Sequence, residues 1–321
     1  MSGRYARSLI EVTDDLSRLD DGNFWAVSIT FEGQIRLARF RQVMKARFPF
    51  SGSASGLISG NWKSSIDQSA YCNYVERIKA AIASGWVYQV NACRRLTHQD
   101  EGQSLRGLFS QILKNNPAPW ASYFEVPGVM IASASPELFL SRNGSTVKSS
   151  PIKGTQATNS QQFGAKDQAE NVMIVDLMRN DLGQICKSGT VEVPRLLSSE
   201  EHPGLQHLVS DVQGELLEDI SWSQIFTALS PPGSVSGAPK SSAIQVIGEN
   251  EIARGPYCGA LGWIQGDQAV LSVAIRIFWK DTDINFGTGA GITWGSNAQA
   301  EWEETQLKAK RLISIAGGEL Q

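Results

Sequence analysis

Between residues 122 and 149 four strand-like runs follow one another almost without a break, at 122–126, 129–133, 138–141 and 146–149. Pro127-Gly128 and Asn143-Gly144 supply a turn signal within each pair of runs. A chain that turns this tightly lays each strand back beside its predecessor, because a parallel partner needs a crossover of about a dozen residues or more. The stretch therefore demands antiparallel sheet. Further strands are predicted at 24–30 and 34–40, joined at Glu32-Gly33, and at 87–96, 190–196, 205–212, 256–264, 268–278 and 284–288. Helices are predicted at 67–84, 105–114, 161–182, 222–229, 239–250 and 298–315. The first carries Tyr71, Tyr74, Val75, Ile78 and Ile82 at helical spacing and stops at Gly85. Strands in runs with helices between the runs define an α+β fold with large antiparallel sheets. Regular βαβ alternation and a Gly-rich dinucleotide fingerprint are both missing.

Residues 1–20 read as a short amphipathic helix or a loose arm, and residues 51–65 as a Gly/Ser-rich loop. The division that follows is a short N-terminal segment, 1–65, packing on a catalytic domain, 66–321. A net charge of −3 argues against a nucleic-acid partner held through a broad basic face, but leaves room for a small anion bound by local positive charge. No apolar run is long enough to span a bilayer, so no membrane association is expected. Cys72, Cys93, Cys186 and Cys258 are scattered, without zinc or redox spacing. Reduced thiols in a cytoplasmic protein are the plain expectation.

Two stiff turns present opposite charges. Lys153 stands between Pro151, which fixes its own φ, and Gly154, which allows close backbone approach. Glu137 follows Pro136. The pair reads either as two solvated turn residues or as a nucleophile and a proton donor.

Three further motifs weigh on that choice: Glu170-Asn171-Val172-Met173-Ile174-Val175-Asp176-Leu177, the run Pro231-Pro232-Gly233-Ser234-Val235-Ser236-Gly237-Ala238-Pro239-Lys240, and Ser272-Val273-Ala274-Ile275-Arg276. With the lysine turn they resemble the chorismate-utilising enzymes: anthranilate synthase component I, aminodeoxychorismate synthase component I, isochorismate synthase and salicylate synthase. The resemblance runs from about residue 69 to the end. It implies a large antiparallel β-sandwich flanked by helices, with the active-site cleft between its layers. Lys153 is the residue that aminodeoxychorismate synthases typically carry, whereas anthranilate and isochorismate synthases carry alanine there. Isochorismate synthases use a lysine base on the strand that here reads Val87-Tyr88-Gln89-Val90-Asn91, and this chain has none.

The resemblance also assigns roles. Glu170, Glu301 and Glu304 fall on its magnesium-binding carboxylates; Glu301 and Glu304 lie three apart on the closing helix and so share a face. An ordinary solvated helix face is the rival reading of that pair. Arg276 has the fork that fits a carboxylate, and it sits in a run so apolar that an unpaired charge would be costly. A structural salt bridge is its alternative. Tyr257, Gly154, Gly289, Gly291 and Lys308 match substrate-binding positions, and His207 matches a histidine near the departing hydroxyl. A satisfied buried histidine is the rival there.

The reaction implied is attack of Lys153 on C2 of chorismate while Glu137 protonates the leaving C4 hydroxyl, followed by ammonia at C4. A lysine of ordinary pKa is neutral in only about one molecule in 2,500 at pH 7, a cost of roughly 4.6 kcal/mol that the site must reduce. The expected ammonia source is a separate glutamine amidotransferase subunit. A complete tryptophan feedback pocket is not expected.

Overall fold

The computed structural model describes residues 3–49, 58–102, 104–157, 163–202 and 205–320. The chain opens with β1 (Arg4–Thr13), a 3₁₀ turn (Leu16–Asp21), β2 (Phe24–Ile29) and β3 (Ile35–Lys45). Next come β4 (Asn61–Ser64), α1 (Gln68–Ala83), β5 (Gln89–His98) and α2 (Leu105–Asn115). Five strands follow: β6 (Ser122–Val126), β7 (Val129–Ser133), β8 (Leu138–Asn143), β9 (Thr146–Ser150) and β10 (Ile152–Ala157). Then come α3 (Ala165–Gly183), β11 (Glu192–His202), β12 (Leu205–Glu215), α4 (Trp222–Leu229), β13 (Gly237–Ala238) and α5 (Lys240–Asn250). The last elements are β14 (Ala260–Gln265), β15 (Gln268–Val273), β16 (Ile277–Lys280), β17 (Ile284–Ile292), α6 (Ala298–Ala316) and β18 (Glu319–Leu320).

The strands form two large sheets. One has ten strands in the order β1-β3-β2-β14-β15-β8-β9-β12-β10, with β11 also on β12. The other has eight, β18-β4-β5-β17-β16-β7-β6, with β13 on β5. One apolar core, including Trp25, Tyr71, Trp222, Leu271 and Ile292, ties the two sheets to each other and to α1, α3 and α4. A second, including Trp62, Phe109, Phe278 and Leu312, fills the space under α2 and α6. The antiparallel α+β architecture expected from the turn-linked strands is present.

Sheet membership departs from the one-dimensional reading. The four successive runs divide between the sheets: β6 and β7 lie in the eight-stranded sheet, β8 and β9 in the ten-stranded one. Residues 268–278, expected as one strand, are two strands in different sheets, separated by Ala274, Ile275 and Arg276. The two crossings are stitched together. The Ala134 N–H donates to Arg276 O at 3.0 Å, the Val273 N–H to Glu137 O at 3.1 Å, and Ser135 Oγ to Val273 O at 2.6 Å. Both flanking strands are apolar, so periodicity gives no sign of the break.

Three smaller expectations are corrected. Residues 4–13 are neither helix nor arm: β1 pairs antiparallel with β3 from Arg4↔Lys45 to Thr13↔Leu37. Leu9 and Ile10 stay largely exposed, so the backbone ladder rather than a buried face fixes this strand. Residues 61–64 form β4, paired with β5 and β18, and not loop; residues 51–57 of that expected loop lie outside the described residues. The lysine turn is strand. β9 and β10 run as one bent strand along β12, with Ser149 opposite Val212 and Ile152 opposite Val209.

Candidate active site

The register of β10 on β12 slips between Ile152 and Thr155, so the strand carries one extra residue there. Such a bulge turns a side chain out of the ladder's alternation. It contains Lys153 and Gly154, and Gly154 takes φ +86°, a left-handed conformation suited to glycine. The Lys153 ammonium donates to the Ser234 carbonyl at 3.0 Å. Burial pulls the Lys153 pKa below the ordinary lysine value, with Lys308 adding to the effect; Glu137, Glu170 and Glu304 oppose it. The site therefore lowers the cost of a neutral amine.

Glu137 and Arg276 occupy the two places where the chain changes sheet. Glu137 is buried, and burial pushes its carboxyl up to about 7, against the Ser234 hydroxyl, the Lys153 charge, the Ile152 N–H and Arg276. It is poised to carry a proton at neutral pH. Arg276 adopts φ +52°, which costs a non-glycine residue roughly 1–2 kcal/mol. Burial draws its pKa down, and the neighbouring Arg311 charge reinforces this. A strained backbone holding a half-buried guanidinium at the cleft points to a constraint beyond packing.

Two helices bring carboxylates across from these groups. Asn297 caps α6 by accepting the Ala300 N–H at 3.0 Å, which sets Glu301 in the first helical turn. Glu301 is buried and Glu304 faces the same cleft. Glu170 reaches in from α3, four residues after Lys166. The Lys166 ammonium stands 3.5 Å from Glu301 Oε1 and 3.8 Å from Glu170 Oε1. That Glu170 oxygen is buried and otherwise lacks a hydrogen-bond partner. Burial raises the Glu170 pKa, with Glu301 and Glu304 adding to it, while Lys153 and Lys166 oppose. Burial would also raise Glu304, but Lys308, 2.7 Å away, with Lys166 and Lys153 more than offsets it and the net shift is downward.

Among the described residues no three His, Cys, Asp or Glu side chains are gathered closely enough to enclose a metal ion. Magnesium does not require such a cage, since it keeps waters and takes one or two carboxylates along with substrate oxygens. An orphaned buried carboxylate oxygen on Glu170 and a buried Glu301, with a cation already between them, fit that mode of binding.

The wall opposite is β17. Gly287, Gly289 and Gly291 alternate along it and so share one face. A Cβ on Gly287 would stand 2.1 Å from the Tyr257 ring, and one on Gly291 would stand 2.4 Å from Gln89 Nε2. The missing side chains make room for Tyr257 and Gln89. Lys308 donates to Gly289 O at 3.0 Å. His207 is buried on β12, opposite Thr155.

All twelve residues singled out from the sequence line one cleft of about 1020 Å³, with walls from both sheets and from α3 and α6. Sequence reasoning missed three neighbours. Lys166 was legible from its four-residue spacing to Glu170. Ser234 lay inside a quoted motif without a role, though its carbonyl and hydroxyl meet Lys153 and Glu137. Gln89 is buried with both amide atoms lacking hydrogen bonds, beside Gly291. No sequence signal marks it beyond its strand.

A fold of two antiparallel sheets around a charged cleft defines a class of α+β enzyme, and sequence similarity narrows the class. The chorismate binding enzyme family matches residues 39–314, and the chain belongs to that family. It is 34% identical over 267 residues to anthranilate synthase component 1 of Saccharolobus solfataricus, covering 79% of this chain and 63% of that relative. It is 33% identical over 279 residues to aminodeoxychorismate synthase component 1 of Escherichia coli, covering 82% of this chain and 61% of that relative. The chain thus spans less than two thirds of the length of these relatives. Anthranilate synthase component I from Streptococcus pneumoniae shares its fold with TM-score 0.78 at 24% identity, over 90% of this chain and 80% of that one. The menaquinone-specific isochorismate synthase from Escherichia coli does so with TM-score 0.80 at 17% identity, over 98% and 85%.

Proposed function

We propose that the chain aminates chorismate, as an aminodeoxychorismate synthase component I. The observation that carries this reading is an amine of lowered pKa on a strand bulge, in the same cleft as a buried carboxyl poised near neutrality. The Lys153 amine attacks C2 of the ring, both conjugated ring double bonds shift by one position, and the C4–O bond breaks as Glu137 gives its proton to the departing hydroxyl, which leaves as water. Ammonia then bonds to C4 and the lysine leaves C2, giving 4-amino-4-deoxychorismate. Arg276 takes a substrate carboxylate through its fork. Tyr257, His207, Gly154, Gly289, Gly291 and Lys308 shape the rest of the substrate site. Glu170, Glu301 and Glu304 would hold a magnesium ion, whose charge offsets that of the substrate's ring carboxylate. Ammonia comes from a glutamine amidotransferase partner.

Relatives under both names support a second reading, formation of anthranilate. Lys153 favours the first, since by resemblance anthranilate synthases carry alanine there. The test is Lys153→Ala assayed with chorismate, magnesium and ammonium. C4 amination should fall below detection while the variant keeps the wild-type melting temperature. Undiminished aminodeoxychorismate formation would end the nucleophilic role.

A further inference from the structure

We propose that Lys166 is an internal counter-ion that holds the place of the divalent cation between Glu170 and Glu301, and that the cation displaces it. This rests on the reading that those carboxylates bind a metal. Glu301 enters from α6 and Glu170 from α3, so two largely buried carboxylates are brought together from opposite sides of the cleft. Left alone, like charges in a partly buried site repel and pay for lost hydration. The only close cation shared by the two is the Lys166 ammonium, 3.5 Å from Glu301 Oε1 and 3.8 Å from Glu170 Oε1 among the described residues.

Among the described residues three lysines, Lys153, Lys166 and Lys308, face this cleft, and they are held differently. Lys153 donates to a backbone carbonyl at 3.0 Å. Lys308 is pinned by Glu304 at 2.7 Å and by Gly289 O at 3.0 Å. Among the described residues Lys166 makes only the two longer contacts, and its side chain is 56% exposed. A side chain this exposed belongs to neither apolar core, so it can swing out without disturbing them. A lysine head and a hydrated divalent cation then compete for the same carboxylate oxygens. The competition lowers metal affinity, and the ammonium offsets the mutual repulsion of the two carboxylates when no metal is bound.

The test is binding of Mn²⁺, followed by the loss of the free-ion signal in electron paramagnetic resonance, to the wild type, Lys166→Gln and Glu301→Gln. The wild type should bind Mn²⁺ and Glu301→Gln should bind it more weakly. Lys166→Gln should bind it about threefold to tenfold more tightly, the effect of removing one partly exposed ionic competitor. Metal-free Lys166→Gln should also melt below the wild type, with the gap narrowing at saturating Mn²⁺. Equal or weaker Mn²⁺ binding by Lys166→Gln, with normal binding by the wild type, overturns the placeholder role alone. Absence of Mn²⁺ binding to the wild type, or binding unaffected by Glu301→Gln, overturns the metal reading and the inference with it.

Discussion

At Glu137 burial outweighs every neighbour that favours the ionised form, and the carboxyl rises from 4.5 to about 7. The unfolded chain releases this proton near the ordinary carboxyl value, while the folded chain holds it to about 7. Folding therefore binds a proton across that window, and this group's contribution to stability falls as pH rises through it. Glu137→Gln lacks the titration. Relative to the wild type it should gain stability steadily between pH 4.5 and 7, by up to about 3 kcal/mol. Chemical denaturation at a series of pH values measures this, and a constant difference would contradict it. Ser234→Ala separates two contacts, removing the hydroxyl that favours the Glu137 carboxylate while keeping the carbonyl that holds Lys153. The carboxyl should rise further, so the alkaline limb of kcat/KM for chorismate should move to higher pH. A limb that stays put would remove Ser234 from the proton's surroundings. The turns around Lys153 and Glu137 left a solvated pair open, and only the motifs that resemble the chorismate-utilising enzymes made the two legible as a reactive pair; Ser234 and Gln89 were not, since a buried polar group shows its purpose only when its partners are in place.

On the scale of elements, the site is made where regular structure fails. One extra residue in β10 turns Lys153 into the cleft, and two sheet-changing segments deliver Glu137 and Arg276. Turns and helix caps were readable because they are local: Asp67 and Gly85 bound α1 as its sequence predicts. The bulge and the split of residues 268–278 were not, because both are set by which distant strand pairs alongside. β17 works through what it lacks. Gly287→Ala would drive a Cβ into the Tyr257 ring, with no flexible chain end to yield, and should cost about 1–3 kcal/mol in urea unfolding while raising KM for chorismate. Wild-type stability and KM together would show that the glycine row is not what makes room for Tyr257.

Across the whole molecule, two sheets joined by a shared apolar core enclose one cleft, and α3 and α6 bring its carboxylates up to the lysine and arginine of the strand side. The antiparallel α+β class was written in the turn-linked strands; the assignment of strands to sheets was not, because a crossing between sheets reads the same as a continuous apolar strand. Residues 4–45 supply three strands to the ten-stranded sheet, so the N-terminal segment is built into the same sheet as the cleft wall. The proposed partnership predicts that the purified chain turns over chorismate with ammonium and not with glutamine alone; turnover on glutamine would remove the need for an amidotransferase subunit. The most direct test of C4 amination is the identity of the product formed by the purified chain from chorismate, magnesium and ammonium, read by mass and ultraviolet spectrum. A nucleophilic Lys153 yields 4-amino-4-deoxychorismate, and Lys153→Ala loses it. Anthranilate or isochorismate as the sole product would contradict C4 amination.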